Sequence, residues 1–216
     1  MFFARVANVL FVATAFAPFC AGADSIYDQM VGTAKVAFVP MESRGNLIGC
    51  TMLFSAAIKD TAYEQGALVS VKGNVTLMAA GDGNARRYIP SIKLGVFGLE
   101  SVPIKNTSPP EFIYVTGSKG STATSILDSA HSVEPGMRIA AMKFDGPVSG
   151  LFADVASGGA VTFAYSRGAS GLDSKVPVDF RVVDTNVVDG RVVRTRNDSE
   201  SSAFAACTSK LLATAK

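Results

Sequence analysis

The run Ile48-Gly49-Cys50-Thr51-Met52-Leu53-Phe54-Ser55-Ala56-Ala57-Ile58 alternates with a period of two. Drawn as an extended strand, it places Ile48, Cys50, Met52, Phe54, Ala56 and Ile58 on one face. Thr51, Leu53, Ser55 and Ala57 form a more mixed face opposite. Such alternation marks a strand with one buried side. Residues 60–66 then read as a turn, and a second strand follows. It carries Val69, Val71, Val75 and Leu77 on one side and Ser70, Lys72, Asn74 and Thr76 on the other. Gly73 interrupts it and marks either a bulge or a close backbone approach. Together the two strands form an antiparallel hairpin with a single buried face.

The same signal recurs downstream. Ala80-Gly81-Asp82-Gly83-Asn84 is turn chemistry, since glycine and asparagine accept positive φ at little cost. Residues 88–99 read as a strand interrupted by Pro90, Gly95 and Gly98, residues 105–110 as a loop, and residues 112–116 as a short strand. Between 117 and 136 the pattern is mixed, with one or two helical turns expected within 124–131. Residues 137–144, 148–156 and 160–165 read as three more strands, broken by Asp145-Gly146-Pro147 and Ser157-Gly158-Gly159. Val178, Phe180 and Val182 alternate again across 178–183. Asp189-Gly190 lies between Val187-Val188 and Val192-Val193. That is a hairpin signature, because a type I′ turn needs positive φ at both central residues.

The tail changes period. Asn197 or Asp198 caps a helix, Glu200 falls in its first turn, and Ala203, Phe204, Cys207 and Leu211 share one stripe. Cys207 therefore points inward, as Cys50 does on its strand, and the two are expected to form a disulfide. Closing a loop of about 158 residues contributes roughly 2–5 kcal/mol on chain-entropy grounds. Short strands with frequent turn signals, followed by one helix, predict an all-β fold. The expected form is an antiparallel β-sandwich, or a partly open barrel, with a C-terminal α-helix.

Residues 1–23 read as a signal peptide. Arg5 supplies the positive start, residues 6–19 an apolar stretch too short for an ordinary transmembrane helix, and Ala21-Gly22-Ala23 a small-x-small cleavage site. Cys20 leaves with the leader, and residues 24–216 are expected to form a single β-rich domain in the periplasm or outside the cell. Disulfides persist in such compartments. The whole chain has a formal net charge of +2, which gives no electrostatic case for a nucleic-acid partner. No later segment is long and apolar enough to span a bilayer, so no membrane span is expected in the mature chain.

Reactive residue types are sparse. His131 is the sole histidine and the obligatory base of any Ser-His or Cys-His arrangement, yet no nucleophile motif surrounds it. Gly168-Ala169-Ser170-Gly171 lacks the spacing of a nucleophile elbow. Zinc would need more histidines and thiols than remain. Asp82, Asp145, Asp154, Asp173, Asp179, Asp184 and Asp189 lack calcium-loop spacing and suit turns and caps. A pair of carboxylates from distant strands would serve glycoside hydrolysis, although the chain has no tryptophan for a sugar platform. Gly117-Ser118-Lys119-Gly120-Ser121-Thr122 has phosphate-loop composition in the wrong order and reads as a mobile surface loop suited to binding. Arg181, Arg191, Arg194 and Arg196 would make a basic strip for an anionic partner if they gathered, or else protect a sheet edge.

Taken together, these features predict an exported, non-enzymatic β-sandwich that binds an envelope or extracellular partner, with no cofactor and no metal. The alternative is an envelope hydrolase using carboxylates, or a serine with His131.

Overall fold

β2 (Asn46–Asp60) realises the alternation that its sequence carries: Cys50, Met52, Phe54, Ala56 and Ile58 are all buried. β1 (Gly32–Ser43) flanks it on one side, and β3 (Ala67–Ala80) and β4 (Arg87–Phe97) follow on the other as an antiparallel meander. β8 (Met137–Met142) and β7 (Ile126–His131) complete a six-stranded sheet in the order β1-β2-β3-β4-β8-β7. The computed structural model describes residues 25–81, 86–99, 108–168 and 171–213. The leader expected over 1–23, turn residues 82–84, loop residues 105–107 and Ser170 lie outside them.

A second, four-stranded sheet runs β10 (Ser174–Asp179), β9 (Ala160–Ser166), β5 (Phe112–Gly117), β6 (Gly120–Ser121). The edge strands of the larger sheet do not pair with each other, so the architecture is sandwich-like and not a closed barrel. A separate hairpin, β11 (Val182–Val188) and β12 (Arg191–Arg196), turns at Asp189-Gly190 with φ of 49° and 71°. Those angles are the left-handed pair that a type I′ turn requires.

Gly73 is a close approach and not a bulge. Its register runs unbroken from Phe54 to Leu94. A Cβ there would sit 2.4 Å from the Lys93 carbonyl oxygen and 2.6 Å from Phe54 Cζ. The missing side chain lets the Phe54 ring lie over the backbone. From there it meets Phe163 of the opposite sheet at 4.3 Å between centroids and Phe180 edge-on at 6.5 Å.

Three local expectations are corrected. Residues 148–156 are not a strand but belong to helix α2 (Gly146–Ala156). The Asp145 carboxylate accepts the Val148 N–H, Pro147 occupies the first turn, and Val148, Leu151, Phe152 and Val155 are buried at helical spacing. What resembled a break was a helix start. Residues 124–131 are not helical beyond a 3₁₀ turn at Ala123–Ser125; Ile126–His131 pairs with β8. Here cross-strand hydrogen bonding overrides weak local helix preference. The alternation over 178–183 is buried throughout at Val178, Phe180 and Val182, but a turn splits it between two sheets.

Helix α3 (Ser199–Ala213) fulfils the reading of the tail. The Asn197 side-chain oxygen accepts the Ser199 N–H at 3.0 Å, which caps the start. Cys207 is bonded to Cys50. One turn earlier, Phe204 stacks on Phe152 at 5.9 Å and meets Phe38 edge-on at 6.4 Å. The Glu200 carboxylate accepts the Phe38 N–H at 2.6 Å. A short helix α1 (Ile26–Met30) precedes β1.

Replacing both Cys50 and Cys207 with serine should lower unfolding free energy by about 2–5 kcal/mol while leaving the fold in place. Urea unfolding followed by circular dichroism checks this, and an unchanged midpoint would refute the covalent tie. Gly73→Ala should cost about 1–3 kcal/mol by overpacking against Phe54 and the β4 backbone. The same titration measures it, and a neutral result would mean the approach is looser than described.

Candidate binding face

The six-stranded sheet buries one face and turns the other outward. On that outer face, strand register builds two rows that run across β1 to β8. One row is Lys35, Ser55, Lys72, Gly95, Met137, and its neighbour is Ala37, Leu53, Asn74, Lys93, Ile139. A groove of about 360 Å³ follows these rows. Its floor is apolar, with Leu53 38% exposed, and its flanks carry Lys35, Lys72 and Lys93. The Lys93 ammonium pairs with Glu134 at 2.8 Å, and Lys72 Nζ stands 5.6 Å from the centre of the Phe97 ring. Lys35 has no ion-pair partner among the described residues. A Thr51–Thr76 hydroxyl hydrogen bond of 3.0 Å stiffens the same face between β2 and β3.

One end of the sandwich holds a buried polar cluster. Asp60 is completely buried and accepts four hydrogen bonds. They come from the Tyr165 hydroxyl at 2.6 Å, the Ser174 hydroxyl at 2.9 Å, and the N–H groups of Ala62 and Tyr63 at 3.1 and 3.0 Å. Burial first, and the bond to Asp60 second, push the Tyr165 phenol well above its ordinary pKa. Beside it, Arg167 and Glu64 form an ion pair at 2.8 Å with both side chains only 1% exposed. The Tyr63 hydroxyl accepts the Arg167 N–H and donates to the Leu172 carbonyl. These bonds join the β2–β3 turn to β9 and β10 and hold the segment on either side of residues 169–170. Reading 60–66 as a plain turn missed this cluster. The available signal was that Asp60 continues the inward alternation after Ile58, and a carboxylate on a buried face demands several donors.

The residues singled out for chemistry do not converge. His131 is exposed at the end of β7, and among the described residues no carboxylate or hydroxyl is hydrogen-bonded to it. Asp145 caps α2, Asp184 accepts from Asn186, and Asp189 makes the hairpin turn. Asp154 accepts both the N–H and the hydroxyl of Ser118, each at 2.8 Å. That clamp ties down the turn after β5, so the loop expected to be mobile is a held hairpin. Asp179 accepts from Arg181 at 3.3 Å and Arg196 at 3.1 Å. Arg194 donates to the carbonyls of Gln29, Met30, Val31 and Thr33 around the start of β1. Arg181, Arg194 and Arg196 are thus engaged within the chain and do not gather into a free basic strip, while Arg191 is exposed. Among the described residues, no group of three or more histidine, cysteine or acidic side chains is placed to hold a metal ion, and no helix is long and apolar enough to cross a membrane.

Comparison with known proteins returned no matching family model, no matching curated protein and no matching solved structure. The class therefore rests on the fold itself: an antiparallel β-sandwich-like protein with a helix tied covalently to its larger sheet.

Tyr114 on β5 donates its hydroxyl to Asp173, and that bond, with burial second, pushes the phenol up to about 12. Because the folded pKa lies above the ordinary value of about 10, the contribution is complete below pH 10 and fades as pH rises through 12. Ultraviolet titration of tyrosine ionisation should show Tyr114 and Tyr165 ionising late, and in Asp173→Asn the Tyr114 transition should move down toward about 10 while that of Tyr165 stays. Superposable curves for the two proteins would rule out the bond as its cause.

Proposed function

We propose that this chain is exported to the periplasm or beyond the cell and acts there as a non-catalytic binding module. Its contact surface is the outward face of the six-stranded sheet, and its partner is anionic. The observation that carries this reading is the pairing of a cationic row with an apolar floor on rigid strands. Lys35 and Lys72 stand two strands apart, about 10 Å by sheet geometry. Leu53 lies beside them, and Val39 and Ile139 are exposed on the same face. Contacts on rigid elements keep their geometry without an ordering cost at binding. Export is supported by the leader-like composition of residues 1–23 and by the Cys50–Cys207 bond, which suits an oxidising compartment.

A partner held by exposed lysines is bound in a salt-dependent way, because the screening length is about 8 Å at physiological ionic strength. The test is capture of envelope components on the immobilised mature protein, compared with Lys35→Glu/Lys72→Glu and with Arg191→Glu as a distant charge control. Capture should be lost in the double variant, retained in the control, and weakened by salt. Equal capture by all three proteins would move the contact surface elsewhere. Recovery of the intact leader on cytosolic protein with both thiols free would overturn the compartment.

A further inference from the structure

The end of the sandwich opposite the buried Asp60 cluster holds a cavity of about 640 Å³, within the range of small-molecule sites. The β1–β2 turn, the residues flanking the β3–β4 turn, and the last turn of α3 surround it. Arg44, Arg86 and Lys210 line it, and no carboxylate side chain does so among the described residues.

Two details single out the arginines among these cations. The β1–β2 turn, Ser43-Arg44-Gly45-Asn46, is a two-residue hairpin with φ of 51° at Arg44 and 76° at Gly45. Its first central position favours asparagine, aspartate or glycine, because other side chains are strained in the left-handed region. The chain uses the favoured residue at Asp189-Gly190, with nearly the same angles, and a longer polar residue at Gln65-Gly66, with φ of 56° and 84°. Arg44 is therefore a long cation held at a strained position where a short polar residue would stabilise the hairpin. The second detail is Arg86. Its Nη2 reaches the Leu47 carbonyl only at 3.4 Å, and its Nε is buried without a hydrogen-bond acceptor among the described residues. A buried guanidinium N–H beside a cationic cavity is placed to donate to an anionic oxygen.

We infer that this cavity binds a phosphate group, as part of a small phosphorylated molecule or of a lipid headgroup. Planar guanidinium donors match phosphate oxygens in bidentate fashion, and a lysine adds a point charge. Three cations, with no acidic lining among the described residues, suit a group that carries more than one negative charge. The site is remote from the lysine rows of the open sheet face, and neither proposal depends on the other.

The test is calorimetric titration of the full mature chain with inorganic pyrophosphate, with a parallel flotation assay on phosphatidylglycerol and phosphatidylcholine vesicles. Arg44→Asn and Lys210→Ala should each weaken pyrophosphate binding by about tenfold or more. Both positions are exposed. Arg44→Asn should at the same time raise the urea midpoint, because asparagine suits the turn. Loss of binding joined to gain of stability is a signature that a structural arginine would not produce. Lys35→Glu/Lys72→Glu should leave pyrophosphate binding unchanged, which keeps this outcome separable from the fate of the sheet-face reading. Selective flotation with phosphatidylglycerol would identify a headgroup as the source of the phosphate, and pyrophosphate binding without flotation a soluble ligand. No binding at millimolar pyrophosphate, binding indifferent to Arg44→Asn and Lys210→Ala, or a lowered midpoint in Arg44→Asn would overturn the assignment.

Discussion

A six-stranded sheet packs against one of only four strands, so part of its inner face needs other cover. The rest of the structure answers that constraint. Phe163 and its neighbours cover the middle of the sheet through the Phe54 ring, which can lie there only because Gly73 has no side chain. Helices α2 and α3 close the remainder, and Phe204 bridges Phe152 on one side and Phe38 on the other. An isolated helix as short as α3 is marginal in water. Packing against the sheet and the bond from Cys207 to Cys50 are what keep it in place.

Much of this was legible because burial leaves a period in the sequence. The alternation through β2 and β3, the Asp189-Gly190 turn and the helical stripe from Phe204 to Leu211 all appear where the pattern placed them. The failures share a different cause. In α2 the capping chemistry of Asp145 and Pro147 was present, but β-branched and aromatic residues such as Val148, Phe152 and Val155 masked the spacing that buries them. In β7, Leu127 and Asp128 are exposed, so the strand rests on hydrogen bonds to β8 and leaves little trace of burial in its residues.

The candidate sites were less legible still, and for a physical reason. A contact face assembled from Lys35, Lys72 and Lys93 is a product of register between strands far apart in the chain. Each lysine alone is an ordinary solvent-facing residue. The cavity beside Arg44, Arg86 and Lys210 likewise draws on a turn, a strand flank and the end of the last helix. Carboxylates that looked available for chemistry became fasteners, because a short acidic side chain beside free backbone N–H groups satisfies them at once. Asp154 on Ser118 and Asp60 on the β2–β3 turn are the clearest instances.

Along its free side, β1 would offer the unpaired backbone groups that every sheet edge presents. Here the Arg194 guanidinium donates to the Thr33 carbonyl, the Thr185 hydroxyl to the Ala34 carbonyl, and the Phe38 N–H to Glu200. Side chains from β11, β12 and α3 thereby occupy the positions that a docking backbone would need. The larger sheet is consequently closed to templated extension at its β1 border. A foreign strand seeking to lengthen it is directed to the far border, beyond β7.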